Sequence, residues 1–161
     1  MEPIKECYER LTKSEAFMSR DEDAFLSSVS VMTDYSKLPT SKWQMDFYSP
    51  SKKKIMSFLM QESIQIRTDQ DMFQTFSVQE VEISKLNIDF SDVMQKSEAI
   101  LKTEFDDTPA SIIAVLQKRD KMLWIITFVT TSMKVACIEI DAESGDIVSK
   151  KCGSVMGGHS N

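Results

Sequence analysis

Four apolar runs near the C-terminus, residues 111–116, 122–129, 134–141 and 147–150, are joined by polar links of five, four and five residues. A parallel crossover needs about a dozen residues or more, so links this short confine the region to antiparallel hairpins. Two of the runs are unusually greasy. Ile112-Ile113-Ala114-Val115-Leu116 and Leu123-Trp124-Ile125-Ile126 are apolar at every position, so both faces of those strands carry side chains that favour burial. By contrast Trp43, Met45 and Phe47 alternate with Gln44, Asp46 and Tyr48, the pattern of a half-buried strand. Each large apolar side chain gains roughly 1.5–3 kcal/mol from full burial. The second face of the C-terminal strands is therefore expected to be covered by the other half of the chain, a twin subunit or a ligand.

The N-terminal half supplies a similar series. Pro3 followed by Ile4, Cys7, Tyr8 and Leu11 predicts a helix reaching Phe17 and Met18, and Ser19 to Glu22 resembles a capping box for another. Residues 27–32 alternate with period two and predict a strand, Leu38-Pro39-Thr40 breaks the chain, and further strands follow at 43–48, 54–59 and 63–68. Residues 73–83 read as extended, with Phe76 and Val78 on one face. Asp89 then caps a second helix through Phe90, Val93, Ser97, Ile100 and Leu101, which ends near Pro109. Both tryptophans fall in one pattern. Trp43, Phe47, Ser49, Ser51 and Lys53 match Trp124, Phe128, Thr130, Ser132 and Lys134 at identical offsets. This predicts an α+β fold: helices packed on mainly antiparallel sheet, as a tandem duplication of a helix-then-strands unit. The halves run 1–84 and 85–151, and the tail 152–161, holding three of the four glycines, is expected to be flexible.

The second unit, residues 89–150, resembles the PepSY-type domain, with a weaker echo in 1–84. Trp124, Phe128, Ile140, Asp141, Ala142, Ser144, Gly145 and Ile147 occupy the places of that family's W-x-V-x-F-like and Y/V-x-I-D-A-x-T-G-x-I/V-like segments. The resemblance implies a helix followed by antiparallel strands, and a role in inhibiting or chaperoning peptidases through protein or peptide contacts.

In the Asp-Ala-Glu-Ser-Gly turn, Asp141 is suited to accept backbone N–H bonds two or three residues on, and Gly145 to supply a positive φ. Asp141, Glu143 and Asp146 lack the ligand density of a calcium loop, and no metal or cofactor is expected. No glycine precedes Gly145, which excludes a phosphate loop or dinucleotide fingerprint from the body of the chain. The sole histidine, His159, lies in the tail, so a histidine triad or zinc site is not expected. Asp106 and Asp107 read as exposed loop charges. A net charge of −6, with Lys52-Lys53-Lys54 the one basic run, disfavours nucleic acid. No apolar run approaches the roughly 20 residues of a membrane span.

Three cysteines without Cys-x-x-Cys spacing argue against a disulfide framework. Cys137 reads as core and Cys152 as the exposed thiol. With no apolar leader at the start, the expected location is cytoplasmic. The reading that follows is a non-catalytic protein- or peptide-binding module. Trp43, Phe47, Trp124, Phe128, Asp141 and Gly145 are its candidate partner-facing or structural residues. The alternatives are a small acidic chaperone-like or scaffolding homodimer, and an enzyme using Cys152 or a carboxylate pair.

Overall fold

A computed structural model describes residues 1–71 and 77–155, with the side chains of all but 69–71. In chain order the elements are α1 (Ile4–Thr12), β1 (Phe25–Asp34), β2 (Gln44–Ser49), β3 (Lys54–Leu59), β4 (Gln65–Asp71), α2 (Phe90–Thr103), β5 (Pro109–Lys118), β6 (Met122–Thr130), β7 (Lys134–Asp141) and β8 (Ile147–Ser154). All eight strands belong to one sheet in the order β4-β3-β2-β1-β5-β6-β7-β8, and every pairing is antiparallel. A helix followed by four strands thus occurs twice, and the two sets meet edge to edge. At the joint Val29 faces Leu116, Val31 faces Ala114 and Thr33 faces Ile112.

This corrects the expected fold class. The chain is mostly β, a single eight-stranded antiparallel sheet, rather than an α+β fold of helices packed on sheet. Among the described residues only α2, at 14 residues, is a helix of substantial length. The helix predicted to reach Met18 ends at Thr12. There the Ser14 hydroxyl donates to the Leu11 carbonyl at 2.6 Å, a local bond that competes with helix continuation. Residues Ala16–Ser19 form a 3₁₀ turn instead, which sets the Phe17 ring 5.4 Å from Phe47 and 6.4 Å from Phe58. The supposed capping box opens no helix. Ser19 bonds back to the Ala16 carbonyl, and Arg20 is already extended.

Away from its register shifts, the sheet sends successive side chains to opposite faces. The inner face carries Val29, Met45, Phe47, Phe58, Leu116, Trp124, Ile126, Phe128, Ile138 and Ile140, buried with Ile4, Cys7 and Leu11 of α1 and Val93, Ile100 and Leu101 of α2. At its centre Trp43, Phe90 and Trp124 pack mutually, with ring centroids 4.9, 5.2 and 5.9 Å apart.

Other boundaries shift for physical reasons. β4 is polar because it is an edge strand with little to bury. β8 continues to Ser154 because Cys152 turns inward opposite Ala136, so 152–154 are not part of a flexible tail; 156–161 lie outside the described residues, as do 72–76. Residues 77–82 carry no regular structure. The β2–β3 turn holds four residues and the β6–β7 turn three. Lys54, not Lys53, therefore corresponds to Lys134 as the first residue of its strand, and the left-handed turn positions are Lys53 (φ 53°) and Met133 (φ 60°).

Candidate functional site

Alternation aims all four candidate aromatics inward. Trp43, Phe47, Trp124 and Phe128 are buried in the core, and none of them reaches a partner-facing surface. The Trp43 indole N–H donates to the Glu2 carbonyl at 2.9 Å, pinning the start of α1 to β2. The Trp124 indole nitrogen is buried with no hydrogen-bond partner among the described residues.

Asp141 and Gly145 close the β7–β8 turn. Asp141 Oδ1 accepts from the N–H groups of Glu143 and Ser144 at 2.9 and 3.0 Å. The Ser144 N–H holds its carboxyl below the ordinary value, against the opposing effect of burial, with the Glu143 N–H and Lys121 adding to the depression. Gly145 has φ 79°, a region that a side chain disfavours. Its carbonyl accepts from Lys96 Nζ at 2.6 Å, tying the turn to α2. A Cβ there would sit 3.1 Å from Ile88 Cδ1. These are the duties of a turn, and no group of three or more His, Cys, Asp or Glu placed to hold a metal occurs among the described residues.

The residues proposed for chemistry lie elsewhere than expected. Asp107 is not an exposed loop charge: it is 7% exposed. It accepts from its neighbour's N–H, Thr108, at 2.9 Å and from the Ser132 hydroxyl at 3.1 Å, bracing the β6–β7 turn. Burial pushes its carboxyl up, but the Thr108 N–H, the Thr130 and Ser132 hydroxyls and Lys134 outweigh it and leave it lowered. Asp23 does the same at the β2–β3 turn, accepting from the Ser49 hydroxyl at 2.7 Å and the Ser51 N–H at 2.9 Å. The cysteines exchange roles. Cys137 points outward and is half-buried, whereas Cys152 packs against the core. Two further shifted groups are structural. Burial, then Glu2, pushes the Cys7 thiol up to about 12. Burial, then the hydrogen bond to Glu98 of α2, pushes Tyr35 up to about 12.

The surface that sequence reasoning expected to be covered is the outer face, and none of the described helices packs on it. Its cross-strand rows read Met32, Ile113, Thr127, Cys137 and then Ser30, Val115, Ile125, Glu139, flanked by Val129 opposite Val135. Met32 is 78% exposed, Ile113 37% and Val135 36%. Toward β2 and β3 the same face turns polar. Asp46 accepts from the Ser28 hydroxyl at 3.0 Å, the Ser57 hydroxyl at 2.5 Å and the Gln44 amide at 3.0 Å. Beyond it a groove of about 680 Å³ opens between Ser28, Ile55, Val78 and Gln117. An apolar field graded into a hydrogen-bonding one is suited to holding another polypeptide.

No protein-family model matches the chain, and no curated protein matches it. A crystal structure of a "putative lipoprotein" from Clostridium difficile 630 is similar, with a TM-score of 0.60 at 10% identity, over 94% of this chain and 93% of that one. At that identity the likeness is one of fold. No helix among the described residues is long and apolar enough to cross a membrane.

Proposed function

We propose that the chain is a non-catalytic binding module whose working surface is the outer face of β1, β5, β6 and β7, and whose partner is a protein or peptide. The observation that carries this reading is the uncovered apolar field of Met32, Ile113, Val115, Ile125, Val129 and Val135. A polypeptide that covers it removes apolar area from water at roughly 25 cal/mol per Å². The resemblance to PepSY-type domains, whose implied role is also binding, agrees in kind. The inner face offers less, because its large side chains are already buried in the core.

The test is a photoreactive residue placed at Ile113, with the exposed Lys102 of α2 as control position, in cells making the protein. A discrete covalent adduct from position 113 and none from 102 is expected, whatever the partner. No adduct at 113, or equal adducts at both, would overturn the reading.

A further inference from the structure

Resting on that assignment of the outer face, we infer that its occupant is a second copy of this chain, docked sheet against sheet about a two-fold axis. Breadth is the first argument. The apolar field is four strands wide, and neighbouring strands are ~4.8 Å apart, so a single extended peptide would cover about a quarter of it. A sheet covers all of it, and two sheets pack face to face at a separation of ~10 Å. The six strands β1–β3 and β5–β7 present a face on the order of 700 Å² in plan, comparable with the ~800 Å² each partner contributes to a stable interface.

Evenness is the second argument. Pairing of β1 with β5 is unbroken from Ser28 to Asp34, and pairing of β6 with β7 from Leu123 to Val129. The irregularities fall at Leu26/Ser28, Ile55/Ser57, Pro109/Ser111 and Glu139/Ile140, at the margins of the four-strand apolar field. No bulge therefore interrupts the middle of the apolar field of β1, β5, β6 and β7, which the groove beside Ser28, Ile55 and Gln117 borders.

Charge is the third. The chain carries a net −6, which opposes self-association unless the contacting face is spared. Among the described residues, the outward positions of those six strands include no lysine or arginine and four acids, three of them paired with a cation of the same chain. Asp34 pairs with Lys37 at 2.7 Å, Glu139 with Arg119 at 3.5 Å and Asp141 with Lys121 at 3.7 Å, while Asp46, on β2 beside the apolar field, keeps its charge and is held by three uncharged donors. Apart from Asp46, the excess acid therefore lies on other surfaces. A face depleted of unmatched charge, rimmed by paired ions, is the composition of an interface core. A two-fold contact presents the same neutral field from both sides.

Sedimentation velocity of the full chain over a concentration series tests this, together with the mass of the adduct formed at position 113. A species at twice the chain mass is expected, weakened ~100-fold by Val115→Glu and by the surface change Met32→Glu, since each substitution enters a two-fold interface twice. The adduct should be a homodimer. A dimer indifferent to both variants would overturn the inference. So would a monomer whose position 113 captures a different protein, an outcome that leaves the outer face as the working surface. A monomer with no adduct would remove both.

Discussion

Trp43 and Trp124 occupy one cluster, 5.9 Å apart and both fully buried, yet only Trp43 has a partner for its N–H. Replacing either by Phe removes similar volume. Trp43→Phe also deletes a hydrogen bond and orphans the Glu2 carbonyl, whereas Trp124→Phe relieves an unpaired buried donor. Urea denaturation should find Trp43→Phe the more destabilising by about 1 kcal/mol; equal losses would contradict the assignment. Inward residues of this kind were legible in the sequence because period-two alternation fixes the face. Cys137 was not. Val135 and Cys137 are about as apolar as Ala136 and Ile138, so the segment Lys134–Asp141 reads equally well with either parity, and only pairing with β6 decides it.

The hairpins show where local signal ends. The Asx turn at Asp141 could be read from five consecutive residues, since donor and acceptor are sequence neighbours. The braces at Asp23 and Asp107 could not, because Ser49 and Ser132 lie 26 and 25 residues further on. Nor does the sequence show that a polar run such as Gln65–Asp71 is an edge strand until its neighbour is known. The lowered carboxyl of Asp107 has a consequence for stability. A carboxyl depressed in the folded state contributes above its unfolded value, near 3.8, and the contribution disappears as pH falls through the folded value. Asp107→Asn should therefore be less stable than the parent at neutral pH, with the gap closing below about pH 4. Thermal unfolding of both proteins across that range checks it; a constant gap would mean that the brace acts through shape alone.

For the whole molecule, the sequence disclosed antiparallel hairpins and a surplus apolar face, but not that two sets of four strands fuse through β1 and β5 into one sheet. Fusion depends on β1 pairing on both sides at once, and the Ser-rich run 27–30 gives no sign of a central strand, because its serines serve the Asp46 cluster and the outer face. The helices were overestimated for the matching reason: short amphipathic stretches suffice when one broad sheet supplies the core. That sheet leaves an apolar face outward on an acidic chain, and the proposed function depends on that face. Cys137 lies within it, so its alkylation rate, measured in a Cys152→Ser background, reports on the face directly. Ready reaction is expected in dilute solution, with progressive protection as protein concentration rises, over the range in which the doubled mass appears. A rate independent of concentration, or a thiol inert even when dilute, would contradict it.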